Sequence, residues 1–265
     1  MRVRFGDRHD CAKCGKSAHF YRVKERRSYA CEYCGAQVYP TAGTPFDKTR
    51  TPLRDWFFVM FQFCSSRNGV AAKEVERQLG VTYKTAWRMC HMIREYMGAI
   101  DGDDPIGGFT KHVEIDETYI GGYEAGAHGG KGKTVVLGML ERDGKVVTEV
   151  VSDKKMKNIL PVIAEKVKRH TIVHTDELRT YGPLADNGYY HNTVNHSAGQ
   201  YVGMNGTSVN SIEGFWAQLK RGINGTHIHV SAKHLPKYLG EFEYRHNMRS
   251  TPHLMLDRLI YGFSR

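Results

Sequence analysis

The 265-residue sequence predicts an α+β protein with several domains. Two closely spaced pairs of cysteines lie near the N-terminus, and a stretch with helical periodicity follows them. After residue 110 the sequence changes to short segments in which apolar and polar residues alternate, as in β-strands. We expect a cysteine-rich module at 1–45, a helical region at 46–100, a linker at 101–110 and a mixed-sheet α/β domain at 111–265.

The charge and the cysteine content narrow the class of protein. The formal net charge is +10 and the pI is about 9.3, which favours a polyanionic partner such as nucleic acid. The sequence has no apolar run of membrane-spanning length and no signal-peptide pattern at its start, so we expect a cytoplasmic protein. In that compartment the six cysteines are expected to be metal ligands or buried thiols rather than disulfides.

The N-terminal cysteines have the spacing of a metal site. Cys11 and Cys14 are separated by two residues, as are Cys31 and Cys34, and a glycine follows each pair. Four thiolates suit one tetrahedral Zn²⁺, and short alternating strands between the pairs complete the pattern of a zinc ribbon. The ion is expected to be structural because four protein ligands leave no open position. Nearby basic residues favour contact with DNA, although ribbons also bind proteins.

The next region predicts three helices, the last two joined by a glycine-containing turn. That arrangement is typical of a helix-turn-helix, with a plain helical hairpin as the alternative. The helices are expected at about 51–65, 71–79 and 83–97. Near the start of the third helix, where base edges are read, the outward-facing residues are Tyr83, Lys84, Thr85 and Arg88.

The pattern after residue 110 predicts an α/β domain. Three antiparallel strands are followed by a helix, a strand, a short helix, a strand and a long helix, which is the order of an RNase H-like fold with a mixed sheet. The strands are expected at 112–120, 134–141, 145–151, 171–176 and 190–194, the first helix at 156–168, and the long helix from Asn210.

Three carboxylates fall on separate elements of this domain. Asp116 lies on the first strand, Asp176 ends the fourth, and Glu213 is on the long helix. If they converge, they raise one another's pKa unless hard cations such as Mg²⁺ or Mn²⁺ neutralise them. Two such ions about 4 Å apart promote in-line attack at phosphorus. The alternative is that the strand-end aspartates are turn caps.

The long helix carries further polar groups. Glu213 and Lys220 are seven residues apart, so they lie one above the other on the helix, with Asn210 close to the same line. Lys220 is well placed to hold a DNA phosphate, and we also expect Arg221 to contact DNA.

Four motifs carry a family resemblance. They are Glu-Ile-Asp116-Glu-Thr-Tyr-Ile-Gly-Gly, His-Thr-Asp176-Glu-Leu-Arg-Thr-Tyr-Gly, Val-Asn195-His196-Ser, and Asn210-Ser-Ile-Glu213-Gly-Phe-Trp-Ala-Gln-Leu-Lys220-Arg-Gly. Over almost its whole length the chain resembles bacterial insertion-sequence transposases of the DDE class, more narrowly the ISXO-like group, whose members carry a zinc ribbon. The resemblance implies that Asp116, Asp176 and Glu213 are metal-binding catalytic residues and that Lys220 assists them.

Two departures from the group concern the long helix. Ser208 stands where the group often has a histidine, five residues before the acid. Some relatives replace the third acid by asparagine, so Asn210 is an alternative ligand. We assign the ligand role to Glu213 and place Asn210 and His196 behind the ligands, where they would orient a ligand or a phosphate.

Three functions follow from these observations. The first is a transposase that binds the ends of its own element, nicks their 3′ ends and joins them to target DNA, acting as a homodimer or larger assembly. The second is a non-catalytic regulator that binds DNA through the ribbon and the helix-turn-helix. The third is an RNase H-like nuclease that cleaves DNA without joining it.

Overall fold

The computed structural model forms two compact units, Met1–Phe61 with Leu256–Arg265, and Gln62–Met255. In its described part, no helix is long and apolar enough to cross a membrane. The residues that the structure describes are 2–102, 104–121, 132–176, 179–194 and 208–263.

The first unit contains a zinc-ribbon domain built from two small antiparallel sheets. Strands β1 and β2 form one sheet, and β3, β4 and β5 form the other. Only a few small side chains are buried between them, so a bound metal has to supply most of the stability of this segment. The elements are α1 (Arg2–Phe5), β1 (His9–Asp10), β2 (Ser17–Ala18), β3 (Phe20–Arg22), β4 (Tyr29–Cys31) and β5 (Gln37–Val38).

An aromatic cluster forms the core of the rest of this unit. The ring of Phe46 lies 5.4 Å from that of Trp56 and 5.3 Å from that of Phe263, between ring centroids. Trp56 belongs to α2 (Leu53–Ser65), and Phe263 ends α8 (Met255–Phe263). Trp56 and Phe263 are both fully buried, so the parts of α2 and α8 that belong to this unit pack around Phe46.

Two helices open the second unit where the sequence predicts the helix-turn-helix. Helix α3 (Ala72–Leu79) ends at Gly80, whose φ of +65° suits a residue without a side chain. Helix α4 (Tyr83–Asp101) begins after Thr82, whose hydroxyl accepts a hydrogen bond from the N–H of Thr85. It is four residues longer than predicted, because Asp101 in its last turn is held by the side chains of Asn247 and Lys145.

A five-stranded mixed sheet forms the centre of the second unit, as predicted. The strand order is β10-β9-β6-β7-β8. Strand β7 runs antiparallel to both β6 and β8, whereas β9 runs parallel to both β6 and β10. The strands are β6 (His112–Ile120), β7 (Thr134–Glu141), β8 (Val146–Val151), β9 (Ile172–Asp176) and β10 (Tyr190–Val194).

Helices cover both faces of this sheet. On one face, Ile115 and Leu137 pack with residues of α5, and on the other, Val136 and Leu140 pack with residues of α6 and α7. The remaining elements are α5 (Met156–Lys166), a 3₁₀ segment (Arg179–Asn187), α6 (Asn210–Gly222), a π-helical turn (Ile223–His227), α7 (Leu235–Asn247) and a 3₁₀ turn (Pro252–Leu254).

The segment before β6, predicted as a linker, is bonded to the domain. Ile106 forms a parallel bridge with Val167, and this pairing ends α5 two residues earlier than the sequence predicts. The N–H of Gly107 donates to the carboxylate of Glu141, and the N–H of Gly108 to the hydroxyl of Thr171, each at 2.8 Å.

A buried ionic triad joins α4 to α7. The Glu241 carboxylate accepts from Nε of Arg94 at 2.7 Å and from Nη1 of Arg245 at 2.5 Å, and all three side chains are almost fully buried. Burial alone would raise the pKa of Glu241, but the two arginines hold it below its usual range. Arg94 also donates to the carbonyl of Val70, so the triad fixes the start of α3 as well.

We expect Glu241→Ala to lower the free energy of unfolding by about 3–5 kcal/mol, because two buried guanidinium groups lose their counter-charge. Glu95→Ala is the matched control, since Glu95 on α4 pairs with Lys237 on α7 at 2.9 Å but is exposed. That change should cost less than about 1 kcal/mol. Urea denaturation of the two variants measures the difference, and equal losses would contradict the assigned role of the triad.

Candidate active site and zinc centre

Two of the predicted acids lie side by side on neighbouring parallel strands. Glu114 of β6 is paired with His174 of β9, and Asp116 and Asp176 each follow two residues further along their strands. Burial and, second, the nearby charge of Asp176 together raise the pKa of Asp116 from 3.8 to about 6. This end of the sheet therefore concentrates negative charge that a cation can neutralise.

The side chain of Trp216 connects α6 to the first of these acids. Its indole N–H donates a hydrogen bond to Oδ2 of Asp116 at 3.0 Å. The ring lies above Gly138, the residue of β7 paired with Asp116, and a Cβ at this glycine would lie 2.3 Å from the ring. Only glycine therefore admits the indole at this depth.

A second attachment holds the N-terminus of α6. The buried carboxylate of Glu114 accepts hydrogen bonds from the backbone N–H groups of Ser211 and Ile212, at 2.8 and 3.1 Å. Arg142 donates to the same carboxylate at 2.9 Å and to the carbonyl and hydroxyl oxygens of Ser208. This network is not predicted from the sequence, although Glu114 lies two residues before Asp116 and hence on the same face of β6.

The other predicted residues of α6 are exposed. Asn210 is its first residue, Glu213 lies in its first turn, and Lys220 and Arg221 lie in its last turn. His196 lies outside the described residues. Within the described residues, Asp116, Asp176 and Glu213 do not form a group whose ligand oxygens all lie within 4.8 Å of one another. The three carboxylates are therefore not arranged to hold one ion jointly.

A further acid lies on the opposite face of β6. The side chain of Glu117 is buried, and burial raises its pKa, while the ammonium group of Lys154 lies 3.9 Å away. The ammonium group of Lys154 also lies 4.8 Å from the ring centre of Tyr119. The sequence pattern does not single out Glu117, which is next to Asp116 but on the other face of the strand.

The four N-terminal cysteines have the geometry of a zinc site. Their Sγ atoms all lie within 4.8 Å of one another, with Cys11 to Cys34 at 3.5 Å and Cys14 to Cys31 at 3.9 Å. Four sulfurs at 2.3 Å around a tetrahedral Zn²⁺ would be about 3.8 Å apart. Backbone N–H groups of Cys14 and Lys13 lower the pKa of Cys11 to about 6, which favours the thiolate that binds metal. The cluster can therefore hold zinc.

The residues predicted to read DNA lie in the first two turns of α4. Lys84 and Arg88 are exposed, whereas the hydroxyl of Thr85 lies 3.0 Å from that of Thr82 and belongs to the helix cap. The ring of Tyr83 is 48% exposed, with the ammonium group of Lys73 5.4 Å from its centre.

The comparisons with known proteins agree with this architecture. Residues 106–247 match the ISXO2-like transposase domain, and residues 1–37 match the transposase zinc-ribbon domain. The chain belongs to the ISXO2-like transposases. It is 27% identical over 255 residues to an uncharacterized protein in transposable element ISH50 of Halobacterium salinarum, which covers 88% of this chain and 82% of the relative.

A second relative is an uncharacterized transposase-like protein of Haemophilus influenzae. It is 37% identical over 106 residues, which is 39% of this chain and 81% of that protein. The family resemblance predicted from the sequence is therefore confirmed.

Without divalent metal, we expect Asp116→Asn to stabilise the protein at pH 8 by on the order of 1–3 kcal/mol. The folded-state pKa of Asp116 is raised, so its contribution to stability is present at low pH and lost as the pH rises through about 6. The advantage of the variant should therefore shrink between pH 8 and pH 5. Denaturation in chelator across this range measures it, and an advantage that grows towards pH 5 would refute the assignment.

The full chain should bind one zinc ion, and Cys14→Ser should lose it, because three thiolates hold Zn²⁺ less tightly than four. Cys64→Ser is the control, since Cys64 is partly buried in α2 and is not part of the cluster. Metal analysis after dialysis gives the zinc content, and retention of a full equivalent by Cys14→Ser would exclude the four-cysteine site.

Proposed function

We propose that this transposase acts through Asp116, Asp176 and Glu213, which hold two Mg²⁺ or Mn²⁺ ions and carry out 3′-end nicking and strand transfer. The observation that carries the proposal is the adjacency of Asp116 and Asp176, where burial and like charge raise the pKa of Asp116 to about 6. Carboxylates in that situation suit hard cations with oxygen ligands. Such ions, when bound, activate the attacking oxygen and stabilise the leaving oxygen at phosphorus.

The sheet supports an RNase H-like reading of the domain. Three antiparallel strands come first, and two parallel strands follow on the side of β6 away from β7. Asp116 and Asp176 then lie on adjacent strands, and α6 packs on the face of β6 that carries Asp116.

The residues around α6 support a positioning role for its two attachments. Glu114 holds the backbone of Ser211 and Ile212, and Trp216 holds Asp116, so Glu213 lies between two fixed points. The hydrogen bond from the indole fixes the orientation of the Asp116 carboxylate. Both attachments would limit the movement of Glu213 relative to the strand that carries Asp116.

The basic residues are assigned to DNA. In our proposal Lys220 and Arg221, in the last turn of α6, hold phosphates, and Asn210 supports the ligands from the first turn. Tyr83, Lys84, Thr85 and Arg88 form the DNA-binding surface of a helix-turn-helix, and the ribbon contacts DNA or a second protomer. Joining two element ends requires at least a homodimer on DNA. The proposed domains are a zinc ribbon at 1–45, a DNA-binding region at 46–100, a linker at 101–110 and a catalytic domain at 111–265.

We expect Asp176→Asn and Glu213→Gln each to lower Mg²⁺-dependent nicking and joining by at least about a hundred-fold, because each removes a metal ligand. Binding to a duplex containing the element end should change little, since these residues do not read sequence. Gel analysis of cleaved and joined products, beside a mobility-shift measurement, separates the two effects.

Glu165→Gln is the control for these variants, because Glu165 is an exposed acid on α5 that pairs with Lys166. It should behave like the unaltered protein. Near-normal activity of Glu213→Gln would transfer the third ligand role to Asn210. Cleavage without joined products would favour a nuclease, and DNA binding without any cleavage would favour a regulator.

A further inference from the structure

A strained, exposed isoleucine follows α6 and the π-helical turn that continues it. Ile228 has φ +63° and ψ −52°, and its side chain is 81% exposed. The N–H of His229 donates to the carbonyl of His227 at 2.6 Å, so Ile228 is the central residue of a γ-turn with positive φ, which is rare and strained. A β-branched residue in this conformation is an outlier, and such strain concentrates at functional sites.

Ile228 lines two cavities of the second unit. The larger, of about 450 Å³, is also lined by the aromatic rings of Tyr83, Trp87 and Tyr238. The smaller, of about 310 Å³, is also lined by Lys133. The larger volume falls within the roughly 300–1,000 Å³ typical of sites for small molecules.

The rings of the larger cavity are held in place and have cations beside them. Trp87 is 38% exposed, and its ring stands edge-to-face against those of His91 and His234, with centroids at 3.7 and 5.5 Å. The ammonium group of Lys73 lies 5.4 Å from the ring centre of Tyr83. Flat aromatic faces beside positive charge suit a nucleobase that remains attached to its phosphates.

We propose that Ile228 inserts between base pairs of the bound DNA and that the larger cavity receives the displaced base. The proposal rests on DNA being the substrate of this transposase. Apolar side chains that project from a protein act as wedges which unstack a base step, and an unstacked nucleotide needs a pocket with stacking partners. Here the wedge and the pocket are adjacent, because Ile228 lines the cavity that the rings enclose.

The expected position of the displaced base follows from the helix length. Ile228 lies fifteen positions after Glu213, along α6 and the more tightly wound π-helical turn, which corresponds to roughly 20 Å at 1.5 Å or less per residue. This distance spans about six base pairs at 3.4 Å each. The unstacked base should therefore lie within about six base pairs of the phosphate that is cut.

The test uses the full chain on duplexes that span one end of its element. In this set an A·T pair is placed in turn at each position within about six base pairs of the cut site. Permanganate oxidises unstacked thymines, so the bound protein should make one thymine several-fold more reactive than in free DNA. The measurement is made in chelator and needs no cleavage, so a failure of the catalytic assignment would leave its outcome unaffected.

Ile228→Gly is the decisive variant, because glycine accepts φ +63° without strain and has no wedge. We expect it to bind the duplex, to melt at the same or a slightly higher temperature, and to lose the reactive thymine. Thr110→Gly is the matched control, since Thr110 is also exposed, β-branched and at positive φ, +66°. It should keep the reactive thymine.

Trp87→Ala tests the pocket. It should weaken binding to a duplex with an unpaired base at the reactive position by roughly five-fold or more, and binding to the fully paired duplex by less. Unchanged reactivity with Ile228→Gly, or no reactive thymine in bound wild-type complexes, overturns the proposal. If the wild-type chain makes one thymine reactive but does not cleave DNA, the catalytic role of Asp116, Asp176 and Glu213 is contradicted and the insertion of Ile228 is supported.

Discussion

The attachment of α6 to β6 is the constraint on which the candidate site depends. Two acids on the same face of one strand, Glu114 and Asp116, accept hydrogen bonds from the start of the helix and from Trp216, one turn beyond Glu213. The glycine paired with Asp116 on the next strand leaves the space that the indole occupies. A few directional hydrogen bonds thus hold α6 against β6. Each bond fixes one point of the helix, and together they fix its position over the sheet.

The second unit contains buried or partly buried carboxylates in two opposite electrostatic environments. Between α4 and α7, one carboxylate is enclosed by two guanidinium groups, so burial is compensated within the protein. At the end of β6 and β9, two carboxylates are brought together, and the pKa of Asp116 rises. The ionic triad stabilises the fold, whereas the pair of aspartates has excess negative charge that a bound cation can neutralise. The contrast supports a structural role for the triad and a functional one for the acid pair.

Backbone strain is also unevenly distributed. In the part of the chain that the structure describes, most of the positive φ angles fall at glycines, where they cost little, and Gly80 ends α3 in this way. Ile228 is different, because it combines a strained γ-turn with an exposed apolar side chain beside a cavity of aromatic rings. Neither feature stabilises the free protein. A partner that covers the side chain would offset the cost of its exposure, and in our proposal that partner is the DNA duplex.

Much of this protein is determined by local sequence. The spacing of the four cysteines predicts the ribbon, the alternation of apolar and polar residues over much of β6 predicts that strand, and Thr82 and Gly80 mark helix ends through capping chemistry. These features depend on neighbours within a few residues, so a sequence pattern records them. The same patterns identified Asp116, Asp176 and Glu213 as candidates, together with the strands and the helix that carry them.

Tertiary structure decided what depends on residues far apart in the chain. The extra turn of α4 exists because Asn247 and Lys145 hold Asp101, and α5 ends early because Val167 pairs with Ile106. The role of Glu114 in anchoring α6, and the hydrogen bond from Trp216 to Asp116, join residues about a hundred positions apart. No periodicity or capping signal encodes such contacts, because their free energy arises only when the strand and the helix are packed together.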